Sequence, residues 1–288
     1  MSSIDVIIPA YNAAETISAA VRSASPLPGA RVLVVDDGSN DQTASLAALE
    51  GAHVIRQSNA GASKARERGL LDSNADYVVF LDADDEVIAS GVLASLDLLE
   101  SNPETIVAAG RVIGIHPNGK IEVLPRHYEE VTTESLLRIG FGPWPPAAAV
   151  IRRSALDSTT ELNMSVLHTK FAEDYELLIR LSLVGQIKMH EAPSARYRLF
   201  DGKSSSAAEQ ALRDKERIRR RYAILLAIPI ESMSEREVLA AIYLRNVKIL
   251  WAQGRKLSAV RQLLKGGFAD PSAVLRKAKR AHAIGSRQ

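Results

Sequence analysis

Three short segments combine residue types that could do chemistry together: Pro9-Ala10-Tyr11-Asn12, Asp36-Asp37-Gly38-Ser39 and Asp82-Ala83-Asp84-Asp85. An aromatic ring can stack on a heterocyclic base, and an ionised carboxylate accepts hydrogen bonds from an N–H edge. As many as five carboxylates in one place repel one another and are costly to bury, so the cluster calls for a counter-charge. All-oxygen ligands suit a hard divalent cation such as Mg2+ or Mn2+. Mg2+ takes one or two carboxylates and completes its shell with water and substrate phosphates. The implied ligand is therefore phosphorylated and held with a metal. A further acidic pair, Glu173-Asp174, opens an amphipathic stretch.

Taken singly, each segment also fits a plainer role as a turn, a helix N-cap or an acidic first helical turn. Their positions tell more. Val6-Ile7-Ile8, Val32 to Val35 and Tyr77 to Leu81 are apolar runs that each lead into one of the three segments. His53-Val54-Ile55 is a shorter run, and helices are predicted over 13–24, 42–50 and 61–73. Continuous apolar strands alternating with helices indicate parallel βαβ units covered on both faces. The expected fold class is α/β, a doubly wound, mostly parallel sheet, in which ligands bind beyond the carboxyl ends of the strands. The three segments fall there. Further on, β-like pieces over 104–126 are broken by His116-Pro117-Asn118-Gly119, and Gly140 to Pro146 is a Gly/Pro/aromatic loop. A helix near 173–184 is expected to stop at Gly185, and the chain beyond 206 is expected to be mostly helical.

Of 288 residues, 46% are hydrophobic and 24% charged, which provides for a core and excludes global disorder. Cysteine is absent, so disulfide scaffolds, thiol nucleophiles and cysteine-ligated metals are excluded. No apolar run reaches the ~18–20 residues of a membrane span, and the first residues lack the pattern of a secretion signal. The expectation is a cytoplasmic protein. The net charge of +2 hides an asymmetry: residues 207–288 carry 18 of the 36 Lys and Arg but 7 of the 34 Asp and Glu. That basic region either meets an anionic partner or packs against the acidic remainder of the chain.

The runs V-I-I-P-A-Y-N-A-A-E-T-I, V-V-D-D-G-S-N-D-Q-T, N-A-G-A-S-K-A-R-E-R-G and F-L-D-A-D-D-E-V resemble family 2 nucleotide-sugar glycosyltransferases of the GT-A fold. The likeness is close over about residues 4–100 and continues more weakly through A-E-D-Y-E-L-L-I-R-L-S-L-V-G. It implies a GT-A domain over 1–206, with a nucleotide-binding half (1–100) and an acceptor half (101–206), and a basic helical C-terminal region over 207–288. It further implies that Pro9, Ala10, Tyr11 and Asn12 line a nucleotide pocket, with Tyr11 against the base. Asp37 would accept from a uracil imide and Asp36 support the pocket or ribose. Asp84 would hold Mn2+ or Mg2+, with Asp82 and Ala83 beside it toward the ribose or a metal-bound water, and Lys64 and Arg66 would lie near the nucleotide. Asp174 would be the general base, Glu173 its neighbour, and Trp144 an acceptor-side platform. One-step displacement with such a base inverts the anomeric carbon.

The implied partners are a nucleotide-sugar donor, a UDP-sugar by preference, and a glycan or lipid-linked glycan acceptor of cell-surface polysaccharide synthesis. No nucleic-acid-reading motif is present. Arg196, Arg198 and Gly202-Lys203-Ser204 are further candidates for the diphosphate, while His168 is expected at the surface. The clusters Arg217-Ile218-Arg219-Arg220-Arg221 and Arg276-Lys277-Ala278-Lys279-Arg280 could meet anionic headgroups, making the enzyme peripheral on the inner face of the cell membrane. The Q-x-x-R-W motif of processive synthases is absent, which favours one sugar per binding event. Rival readings fare worse. A dehalogenase-type phosphohydrolase leaves Tyr11, Asp36 and Asp37 unexplained. A sugar nucleotidyltransferase lacks its Gly-rich, Lys-containing first loop, and a dinucleotide oxidoreductase lacks G-x-G-x-x-G. A nucleotide-sugar-binding protein without turnover has no use for Asp174.

Overall fold

The computed structural model describes residues 2–167, 169–199 and 208–271. The first half alternates as expected: β1 (Ile4–Ala10), α1 (Ile17–Ala24), β2 (Ala30–Asp36), α2 (Thr43–Leu49), β3 (His53–Arg56), α3 (Ala62–Asp72) and β4 (Tyr77–Phe80). The second half is β5 (Glu86–Val87), α4 (Ala89–Ser101), β6 (Thr105–Ile115), β7 (Ile121–Val123), α5 (Thr133–Ile139), β8 (Ala149–Arg152), α6 (Arg153–Glu161), α7 (Glu173–Leu181) and β9 (Gln186–Arg198). Helices α8 (Ala208–Leu225), α9 (Glu235–Ala252) and α10 (Lys256–Ala269) follow.

The strands form one mixed sheet, ordered β3-β2-β1-β4-β8-β6-β9-β5, with β7 paired to β6. Strands β1 to β4 run parallel, so their carboxyl ends share one edge. All seven residues of β1 are buried, as a strand covered on both faces requires. Ile4, Val6 and Ile8 point to one face, where α1, α2 and α4 contribute Val21, Ala47 and Leu99. Ile7 points to the other, with Leu137, Leu156, Ile179 and Tyr222 from α5, α6, α7 and α8. The alternation is the period-2 pleat of a strand.

Differences from expectation lie at element ends. Helix α1 begins at Ile17 rather than 13, because the Ala13 and Ala14 amides are taken by Thr43 Oγ1 (2.7 Å) and Asp41 Oδ2 (3.1 Å). Helix α7 stops at Leu181, where the Ser182 amide closes back on Leu178 O (3.0 Å). Instead of short pieces, β6 is an 11-residue strand, and the predicted turn reverses the chain into β7 with Gly119 at φ +80°.

The first helix of the basic region is part of the core. Ile218 and Tyr222 are fully buried in the same cluster as α7, and the Tyr222 hydroxyl bonds to Glu176 of α7. Arg219 is buried as well, bonded to Glu216 (2.8 Å), Leu137 O (2.5 Å) and Glu231 O (2.6 Å). The Arg276 to Arg280 cluster, Gly202 to Ser204 and His168 lie outside the described residues.

Candidate active site

Past the end of β1 the chain turns through Asn12, at φ +50°, a left-handed conformation that asparagine tolerates better than most residues. The Asn12 amide donates to Ser39 Oγ (2.9 Å), and its side-chain oxygen accepts from the Asn40 amide (3.0 Å). These bonds join the loops after β1 and β2, with Tyr11 at the wall of a cleft of about 1090 Å3.

Asp36 and Asp37 are buried behind that wall. Asp36 accepts from the Ser39 amide (3.0 Å) and pairs with Arg56 (3.2 Å). Asp37 accepts from Gln57 Nε2, the Ala60 amide and the Gly61 amide, each at 2.8 Å. Asp37 braces the segment 57–61, the Asp36 carbonyl accepts from the Gln57 amide (3.0 Å), and neither residue lines the cleft. Ala10 is also buried, its carbonyl accepting from the Asp37 amide (2.8 Å).

Past β4, Asp82, Ala83 and Asp84 line the same cleft, as does Pro9. Arg66, on α3, reaches across: its Nη2 lies 2.5 Å from Asp82 Oδ1 and its Nη1 2.6 Å from Glu173 Oε1. Burial opposes the Arg66 charge, but the two carboxylates more than offset it and hold the guanidinium above its ordinary pKa. Lys64, two residues earlier and so about 200° around α3, instead pairs with Glu67 (2.6 Å); it is exposed and lines a second cavity rather than the cleft. Asp85 is buried, accepts from the Arg198 amide (3.0 Å), and is pushed up to about 8 by desolvation and by Asp82 and Asp84.

The far wall is α7, entered through Ala172 at φ +65°. Among the described residues, two of the three non-glycine left-handed positions, Asn12 and Ala172, border the cleft. Strain of that kind is retained where the fold over-determines a site. The adjacent acids differ. Glu173 is tied to Arg66, whereas Asp174 is exposed and makes no hydrogen bond or ion pair with the described residues. Trp144 lines the cleft and packs partly on both core clusters.

The sequence reading did not single out Lys170, Lys215 or Arg245, all of which line the cleft. Burial lowers the Lys215 pKa, the Asp174 carboxylate opposes that shift, and neighbouring Arg245 adds to it. The charge excess of 207–288 was visible in the sequence, but which of its cations turn inward depends on how α8 and α9 pack. Of the two arginines on β9, Arg198 lines the cleft, while Arg196 pairs with Glu86 (3.3 Å). The second cavity, about 360 Å3 and lined largely by apolar side chains such as Leu70, Phe80 and Ile151, shares Arg66, Trp144, Glu173 and Asp174 with the cleft.

Among the described residues no three His, Cys, Asp or Glu side chains gather as metal donors. Asp82 and Asp84 offer two carboxylates, and one oxygen of Asp82 faces Arg66. That donor set fits a divalent ion whose remaining ligands are phosphate oxygens and water, the habit of Mg2+. The arrangement offers a ring for a base, cations for phosphates and, at Asp174, an exposed carboxylate bonded to none of the described residues.

Residues 5–159 match the family described as Glycosyl transferase family 2. Among curated relatives, the glycosyltransferase AglJ of Haloferax volcanii is 36% identical over 103 residues, 35% of this chain and 34% of that protein. The succinoglycan biosynthesis protein ExoU of Rhizobium meliloti is 44% identical over 87 residues, 28% of this chain and 25% of that protein. The chain thus matches about a third of the length of the first and a quarter of the second. The crystal structure of S. aureus TarS 1-349 in complex with UDP-GlcNAc superposes with a TM-score of 0.62 at 18% identity, covering 99% of this chain and 92% of that one. At that identity the likeness concerns the fold, which is the GT-A type.

Proposed function

The chain belongs to glycosyl transferase family 2, and from that we propose that it moves a sugar from a nucleotide-diphosphate sugar, a UDP-sugar by preference, to an acceptor hydroxyl with inversion. The observation that carries the reading is the contrast at the start of α7: Glu173 is held by Arg66, while Asp174, exposed in the cleft, makes no hydrogen bond or ion pair with the described residues. In this mechanism Tyr11 and Pro9 hold the base, and Arg66 and Lys215 face the diphosphate. Asp84, with Asp82, would hold Mn2+ or Mg2+, which when bound neutralises charge on the leaving diphosphate. Asp174 takes the proton of the acceptor hydroxyl as its oxygen bonds to the anomeric carbon. The bond from that carbon to the diphosphate oxygen breaks on the opposite side, and the electron pair leaves with the nucleoside diphosphate.

Asp36 and Asp37 shape the base pocket by bracing 57–61, and uracil recognition by Asp37 is part of the proposal. The acceptor is a glycan or lipid-linked glycan of cell-surface polysaccharide synthesis. ExoU, by its name a succinoglycan biosynthesis protein, and the apolar cavity beside Asp174 support that choice. The proposed division into 1–100, 101–206 and 207–288 is one of labour, since α8 packs in one core cluster with residues of both earlier parts. The enzyme is proposed to work at the inner membrane face, held there by the basic region.

Calorimetry with UDP, GDP, CDP and ADP, each with Mn2+ and with EDTA, tests the donor side. Manganese-dependent preference for UDP is expected. A preference for GDP or CDP would overturn the base assignment, and equal binding in EDTA would overturn the metal.

A further inference from the structure

Helix α10 turns its large apolar side chains outward. It buries Ala259 and Gly266, small residues seven apart on one face. On the opposite face Leu257, Val260, Leu264 and Phe268 are exposed by 85, 47, 59 and 89%. Their spacing of three, four and four residues makes a single helical stripe. Trp251, at the end of the adjoining α9, is 57% exposed as well. Contiguous exposed apolar surface of this kind marks an interaction site.

We propose that this face of α10 docks on an anionic lipid surface. Charge selects that occupant. Arg255, Lys256, Arg261 and Lys265 accompany the stripe, and residues 251–269 contain no Asp or Glu. An apolar stripe edged by cations lies in a membrane interface with its large side chains in the acyl boundary and its cations at the headgroups. A second copy would have to present the same patch across a two-fold axis, bringing like charges together. The basic cluster at 217–221 is less suited to headgroups, because Arg219 is buried and Arg220 is bound to Glu216 (3.0 Å) and Met233 O. No helix among the described residues is long and apolar enough to cross a membrane, so attachment through α10 would be peripheral. The inference rests on the proposed membrane location but not on the transfer chemistry.

The test is vesicle flotation of the full chain and of a Leu257→Glu, Leu264→Glu, Phe268→Glu variant. Vesicles are phosphatidylcholine alone or with about 30% phosphatidylglycerol. Wild type is expected to float with the anionic vesicles and to bind them at least tenfold more weakly when salt rises from about 0.1 to 0.5 M. The variant is expected to lose binding at least tenfold while keeping UDP affinity and melting temperature, because the replaced side chains are exposed. Wild type that does not float would overturn the membrane location itself. Wild type that floats together with an equally bound variant would leave the location standing and overturn the α10 face. Light scattering showing a wild-type dimer that the variant dissolves would assign the face to a second copy and overturn the proposal.

Discussion

Glu173 and Asp174 are neighbours in sequence with opposite surroundings. Arg66 lies 2.6 Å from Glu173 and 2.5 Å from Asp82, so one guanidinium ties the two walls of the cleft together. Replacing it by Met leaves two carboxylates facing each other. The expected loss is about 2 kcal/mol in chemical unfolding, below the ~3–5 for a fully buried pair because Asp82 remains partly open to solvent. Asp174→Asn cannot take a proton, so transfer is expected to fall about 100- to 10,000-fold with UDP affinity unchanged. Full transfer by that variant would remove Asp174 from the mechanism. Asp84→Ala is expected to bind UDP in Mn2+ no better than wild type does in EDTA. Unchanged manganese-dependent affinity would move the metal elsewhere.

At the scale of elements, β9 both completes the sheet and carries Arg198 and Tyr197 into the cleft. Burial raises the Tyr197 pKa, and Asp85, Asp82, Asp84 and Asp174 raise it further, so the ring stays neutral beside the carboxylates. At mid-strand, His190 Nε2 lies 2.7 Å from Ser95 Oγ of α4, and its Nδ1 is buried without a partner among the described residues. Desolvation, reinforced by Arg126 and opposed by Glu191, lowers the His190 pKa from 6.5. The unfolded chain then binds that proton more readily than the folded one. The stability from neutral His190 is present above 6.5 and lost as pH falls through the lower folded value. Denaturant titrations at successive pH values are expected to show a steeper loss below 6.5 for wild type than for His190→Gln. Equal slopes would mean that the ring charges without cost.

For the molecule as a whole, the acidic first 206 residues and the basic remainder are joined through α8. Glu176 receives both Arg180 (3.0 Å) and the Tyr222 hydroxyl, and Glu216 receives Arg219 (2.8 Å) and Arg220 (3.0 Å). A chain ending at 206 would expose the face of α7 that Ile218 and Tyr222 cover. It is expected to melt at markedly lower temperature or aggregate, whereas a chain ending after α8 keeps the cluster. An unchanged melting temperature for the shorter chain would make α8 dispensable to the core.

Sequence patterning alone sets the βαβ order, the parallel first four strands and the strand ends at which the candidate site lies. Continuous apolar runs and the polar segments after them are local in the chain, and their consequences are local. The family likeness was legible for the same reason, since its motifs are contiguous. The remainder depends on long-range packing. Lys64 and Arg66 look alike as neighbours on one helix, but the turn of α3 sends Arg66 inward to two carboxylates and Lys64 outward to Glu67. Asp37 sits in one contiguous motif with Asp36, but its oxygens meet Gln57, Ala60 and Gly61 only because the segment 57–61 folds back against it. The sign of the C-terminal charge was countable from composition. Whether each cation faces the cleft, the core or an outer surface depends on contacts between residues far apart in the chain, which no local pattern encodes.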